Sequence, residues 1–189
     1  MEKYKNKGVW STVSRLTALL LLVCSFSAQA TAPRISAQMF GDEKKADIVA
    51  YQSATADAKS ESELTLAIVT EAFKASGKTP VIDVLPSKQI ATYALFSKEA
   101  VALMGSPQDL AGQDKKHYSI VPFYLRGTDD EPVVLIFSNE RGKALHKAFV
   151  AGMQKILKSG KYLQRIEKSR GKLPVDYVDR LKRLNPSWK

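Results

Sequence analysis

Cysteine occurs once in this 189-residue chain, at Cys24. A single thiol excludes an internal disulfide framework, so the fold must rest on hydrophobic burial. Histidine occurs twice, at His117 and His146. No two of His, Asp or Glu stand at metal-ligand spacing within one predicted element, which leaves no zinc motif. Glycine-rich phosphate loops are missing, as are RNA-binding aromatic motifs and zinc-finger spacing. Together these gaps point away from catalysis, cofactors, metals and nucleic acid.

Long apolar runs are also lacking. Leu16 to Val23 falls well short of the roughly 20 residues that span a bilayer. What surrounds it has three parts: Lys3, Lys5, Lys7 and Arg15 before it, the run itself, then the small residues Ala28-Gln29-Ala30. That order is the pattern of a secretory signal peptide cleaved after Ala30. A lipid on Cys24 is the competing reading; Val23 before it and the small-residue site beyond it favour simple cleavage. The expectation is a signal peptide over 1–30, a flexible arm over 31–45 and a periplasmic product. About 159 residues remain, enough for one core and too few for two ordinary domains.

Acidic residues are outnumbered. Of 29 basic and 19 acidic residues the leader holds four and one, which leaves 25 against 18, a net +7. Such a surface favours acidic partners, and weak contact with an anionic surface is one expectation. A Lys-rich solvated face is the other. Lys155, Lys158, Lys161, Arg165, Lys168, Arg170, Lys172, Arg180, Lys182 and Arg183 gather this charge toward the C-terminus, where helix dipoles also favour cations.

Strand and helix alternate after the arm. Asp47 to Tyr51 reads as a strand, and Gln52 to Ser60 as a small polar loop. Ser60 with Glu63 forms a capping box for a helix that buries Leu64, Ile68, Val69, Ala72 and Phe73 and stops at Gly77. Val81 to Leu85 is a β-branched strand, after which Ser87 caps a short helix to about Phe96. Ala100 to Met104 reads as a strand buried on both faces. Ser106 and Pro107 open another short helix. Tyr118–Leu125, broken by Pro122, and Pro132–Phe137 are strands joined by a turn. The longest helix spans about Lys143 to Ser159, with Leu145, Phe149, Met153, Ile156 and Leu157 on one stripe. A short helix to Gly171 follows, then a tail with Val175, Val178, Leu181 and Leu184 at helical spacing. The pattern predicts an α/β fold: a single three-layer lobe over 46–189, with a mainly parallel sheet flanked by helices and a C-terminal helical tail.

Several segments resemble family 3 of the bacterial extracellular solute-binding proteins, the periplasmic receptors of polar amino acid importers. Leu64 to Phe73 with Gly77 resembles that family's first helix, and Val84-Leu85-Pro86-Ser87-Lys88 its Leu-Pro-Trp-Lys loop. Val121-Pro122-Phe123-Tyr124 resembles the segment leaving the first lobe, and Lys158-Ser159-Gly160-Lys161-Tyr162-Leu163 the "SGxY" ending. The resemblance covers Ile48 to Ile166. It implies a periplasmic-binding-protein-like lobe without catalysis. Six residues join Leu125 to Pro132 where the family inserts a second lobe, so the chain looks like one lobe alone. No arginine lies between Met104 and Tyr124 to grip a carboxylate, and Ser87 stands in place of an aromatic.

In doubly wound sheets ligands gather at the carboxyl ends of the strands. Tyr51, Gln52, Ser87, Lys88 and Ser106 are therefore the candidate ligand-binding residues, although capping alone also accounts for Ser87 and Ser106. His146 reads as an exposed helix residue and His117 as a solvated loop residue rather than a general base. The functional expectation is a non-catalytic solute-binding-like protein, taking a small polar solute or acting as a receptor-like module. Two alternatives stand beside it. One is an interaction module that pairs with an exported protein, or with its own copy as a homodimer, through the face a second lobe would cover. The other is a basic binder of polyanions.

Overall fold

Tight β-branched and apolar runs form five strands, and amphipathic stretches between them form five helices. The computed structural model describes residues 45–51, 56–126 and 131–188. In chain order these are β1 (Ile48–Tyr51), α1 (Ala56–Ala75), β2 (Ile82–Leu85), α2 (Lys88–Phe96), β3 (Ala102–Gly105), β4 (Tyr118–Arg126), β5 (Glu131–Ser138), α3 (Lys143–Lys158), α4 (Lys161–Arg170) and α5 (Tyr177–Leu184). Single 3₁₀ turns at Pro107–Leu110 and Lys115–His117 link β3 to β4.

The five strands make one sheet in the order β2-β1-β3-β5-β4. β1 runs parallel to β2, with Ile48 opposite Ile82 and Tyr51 opposite Leu85, and parallel to β3. β5 is antiparallel to both of its neighbours. The sheet is thus mixed, and the expectation of a mainly parallel sheet is corrected. The reason is connection length: parallel neighbours need a crossover of a dozen or more residues, whereas the short link from Arg126 to Glu131 folds β4 and β5 into a hairpin. The register of that hairpin shifts between Pro122 and Tyr124. Proline has no N–H for the ladder, so a bulge forms there.

Successive side chains of a strand face opposite sides, and the sheet divides its core accordingly. Ile48, Ala50, Met104, Phe123, Leu135 and Phe137 pack on one face against α1, α3, α4 and α5. Val49, Leu103, Val134 and Ile136 pack on the other against Ala91, Ala94 and Leu95 of α2 and Leu110. Every residue of β3 is buried, as its apolar run predicts. Three layers result.

Local signals placed some helix ends and misplaced others. Gly77 takes φ +74°, and the Lys78 N–H returns to the Phe73 carbonyl at 2.9 Å, which closes α1 as a glycine cap should. At the other end, Ser60 is not a cap. The helix starts at Ala56 and Ser60 lies inside it. The 56–60 stretch, read as loop, contains alanines and a lysine that sustain a helix once it is nucleated. The stretch after β3 is a single 3₁₀ turn rather than a full helix. In the tail, Val175 is fully exposed and Leu184 is exposed, while Tyr177, Leu181 and Trp188 are buried. The buried stripe is therefore offset from the one that the apolar spacing predicts.

That tail closes one edge of the sheet. β4 is an edge strand, and bare strand edges invite pairing with other chains. Here the Leu125 N–H donates to Tyr177 Oη at 3.1 Å, and Tyr162 Oη donates to the Phe123 carbonyl at 2.6 Å. Asn185 Nδ2 donates to the Pro122 carbonyl at 2.7 Å. The two phenol oxygens lie 3.4 Å apart. Since Tyr162 gives its proton to Phe123, Tyr177 is the donor between them. Side chains of α4, α5 and the tail thus satisfy backbone groups around the bulge. Burial raises both phenols above their ordinary range.

Candidate functional site

Strand direction brings the ends of β1, β2, β3 and β4, with the start of β5, to one edge of the sheet. Three of the five candidate residues meet there on a carboxylate that sequence reading passed over. Asp109 sits on the 3₁₀ turn after β3, with a side chain at 0% exposure. Its Oδ2 accepts from Tyr51 Oη at 3.0 Å and from the Ser106 N–H at 3.0 Å. The ammonium of Lys88 lies 2.5 Å from Oδ1. An unpaired buried carboxylate costs several kcal/mol, and these three contacts offset that cost.

Each partner is positioned by its own element. Tyr51 is the last residue of β1, Lys88 the first residue of α2, and Ser106 the N-cap of the 3₁₀ turn. Ser106 Oγ accepts from the Gln108 N–H at 3.2 Å, while Asp109 returns a bond to the Ser106 N–H. This reciprocal capping pattern follows from a Ser-x-x-Asp spacing. It was the one signal in the sequence that could have drawn attention to Asp109. Gly105 leaves room for this carboxylate. A Cβ there would stand 2.1 Å from Asp109 Oδ2 and 3.2 Å from Tyr51 Cε1.

The electrostatics of the cluster are simple. Tyr51 is half-buried, and its phenol is raised well above the usual range, first by burial and then by the Asp109 charge and their hydrogen bond. It remains a proton donor. Lys88 keeps 48% of its side chain exposed, so the cluster shows solvent an ammonium backed by a buried anion. Ser87 stays apart from it: its Oγ accepts from the Ile90 N–H at 3.3 Å and caps α2. Gln52 lies outside the described residues.

A second set of charges braces the same edge. Glu61 of α1 takes Arg126, at the end of β4, on Oε1 and Arg170 of α4 on Oε2, the latter at 3.0 Å. Arg126 also faces Glu131 at 3.8 Å, and Arg170 stacks over the Tyr124 ring at 5.6 Å. Phe123 and Tyr124 are both buried.

The histidines are far from this cluster in chemistry. His117 is exposed, 3.9 Å from Asp114. His146, expected to be exposed, is half-buried with its ring 5.3 Å from that of Phe137, because β5 passes beneath the first turn of α3. Burial lowers its pKa below the ordinary 6.5. Among the described residues, no group of three or more His, Cys, Asp or Glu is placed to hold a metal ion. No helix among them is long and apolar enough to cross a membrane. Comparison with protein-family models, with curated proteins and with solved structures finds no match to this chain.

Proposed function

We propose that this protein is an exported, non-catalytic binding module of the solute-receptor type, a single periplasmic-binding-protein-like lobe that takes a small polar solute at the carboxyl edge of its sheet. The observation that carries the reading is the convergence of Tyr51, Lys88 and the Ser106 N–H on Asp109. Residues from the end of β1, the start of α2 and the turn after β3 meet at the place where open α/β sheets receive ligands. The half-exposed ammonium of Lys88 is the donor left for a solute, since the Tyr51 O–H is already given to Asp109. Export rests on the three-part N-terminus, which lies outside the described residues.

The chemistry differs from that of a carboxylate receptor. Asp109 already occupies the donors that would grip an acid, and Lys88 offers a point charge instead of an arginine fork. A solute bound here either accepts from Lys88 or replaces it at Asp109 with an amine of its own. Pairing through an open apolar face has less support, because Phe123 and Tyr124 are covered by the chain's own helices.

A thermal-shift screen of the full chain against small amines, amino acids and carboxylates tests this reading. A solute at a hundred times its dissociation constant adds about 2.7 kcal/mol. The expected result is a rise in Tm with one of these classes that Lys88→Gln changes: it is lost for a solute that accepts from Lys88 and enlarged for an amine that replaces Lys88 at Asp109. No shift with any class, or a shift that survives Lys88→Gln unchanged, overturns the proposal.

A further inference from the structure

A second concavity uses none of the residues at Asp109. Residues of α3, α5 and the tail line a cleft of about 540 Å³, with Ala151, Leu157, Val178 and Trp188 in its wall and Lys155, Lys158 and Lys182 around it. That volume lies within the roughly 300–1,000 Å³ of small-molecule sites. The lining is of two kinds, an apolar floor and a cationic rim.

The rim carries more charge than its surroundings answer. Lys155 Nζ donates to the Ala75 carbonyl at the end of α1, at 3.0 Å. Among the described residues, no carboxylate lies within ion-pairing distance of Lys155, Lys158 or Lys182. The C-termini of α3 and α5 do favour cations, since each helix end carries about half a negative charge. Two or three such ends cancel about 1 to 1.5 charges, against three ammonium groups. Among the described residues, a positive surplus is left over the apolar floor. Nearby, Gln154 Nε2 donates to the Ser187 carbonyl at 2.8 Å, which ties the tail to α3 and fixes Trp188 in place.

Trp188 adds an independent sign. It is buried, and its indole Nε1–H has no hydrogen-bond partner. A buried donor left without an acceptor is destabilising, because it has given up its hydrogen bond to water. Trp188 lines the cleft, so this unpartnered N–H is a donor within the cleft wall.

We infer that this cleft binds a small amphipathic anion: a free carboxylate with a medium-length alkyl body. The alkyl chain lies on Leu157, Val178 and Trp188, and the carboxylate sits among the lysines. The apolar floor rejects a fully hydrated anion, and the rim rejects a cation of the same shape. Charge and hydrophobicity together define the class.

Trp188 reports on its own cleft. The chain has two tryptophans, Trp10 and Trp188; Trp10 lies in the leader expected to be cleaved, so Trp188 is the single indole of the exported protein, and Trp10→Phe makes it so in the precursor. Titration with decanoate below its micelle concentration should give a saturable change in emission. Decanol should bind more weakly and decyltrimethylammonium should give no change. Lys158→Ala with Lys182→Ala should weaken decanoate binding about tenfold, while an unchanged far-UV spectrum reports that the variant is folded. An unaltered emission at millimolar decanoate overturns the inference. So does an equal response to all three amphiphiles, or decanoate binding untouched by the lysine changes. A response to vesicles of anionic phospholipid without one to monomeric decanoate also overturns it, since the surface would then be a membrane contact.

Discussion

Gly152 is where the two main helices touch most closely. A Cβ added at this position of α3 would stand 1.8 Å from the carbonyl oxygen of Ala72 in α1 and 2.6 Å from its carbonyl carbon. Those atoms are backbone, so no rotamer change relieves the clash. Restoring ordinary contact of about 3.4 Å requires the helices to part by on the order of 1.5 Å, and such a gap forfeits much of the dispersion between their faces. Phe73 and Phe149, with ring centroids 5.4 Å apart, lie in that interface. Overpacking costs about 1–3 kcal/mol, and a backbone neighbour places Gly152→Ala at the upper end. Helix propensity returns about 1 kcal/mol. The net is a loss of about 2 kcal/mol, or roughly 4–8 °C in Tm for a domain of this size. Thermal denaturation followed by circular dichroism measures it. Lys147→Ala, exposed on the same helix, is the control and should stay within about 0.5 kcal/mol. A Tm for Gly152→Ala equal to or above wild type would refute the reasoning, since that is what helix propensity alone predicts.

Two further outcomes follow from buried polar groups. Tyr162→Phe removes the hydroxyl that donates to the Phe123 carbonyl and leaves that oxygen buried without this donor; urea unfolding should show a loss of about 1–3 kcal/mol with an unchanged m-value. His146 contributes a pH dependence of known sign. Its folded pKa lies below 6.5, so stability is full above about pH 6.5 and is lost as pH falls from there toward the folded value, because the unfolded chain protonates first. Stability measured across that window should decline less in His146→Gln, and an NMR titration should place the His146 midpoint below 6.5.

The elements legible in the sequence are those whose signals are local. Gly77 closes α1, Ser87 opens α2, and the apolar run Ala100–Met104 overlaps the fully buried strand Ala102–Gly105, because each effect acts within a few residues. Ser60 misled for the same reason: its capping pattern with Glu63 is real in spacing, but the residues before it extend the helix. Strand direction was harder to read. The alternation from Asp47 to Met104 suggested a mainly parallel sheet, which holds for β2, β1 and β3, while the turn before β5 was legible without its antiparallel pairing. Tyr51, Lys88 and Ser106 could be nominated from their places at strand ends. Asp109 could not be, because its role comes from three elements folding around it. An acid four residues past a buried glycine reads as a turn residue until the sheet exists to enclose it.

The hairpin between β4 and β5 has a further consequence for how the chain tolerates change. Arg126 and Glu131 are opposed in register at its end, and the strands behind them are anchored by β3 on one side and by the tail on the other. A foreign domain whose own termini lie close together could replace the residues between them while every strand keeps its partner. The entropic cost of a longer connection grows only logarithmically, at about 0.6 kcal/mol per doubling. Because this junction stands at the same edge as Tyr51, Lys88 and Asp109, an inserted reporter domain would sit beside the proposed solute site. The hairpin is thus a natural splice point for turning this lobe into a ligand-responsive sensor.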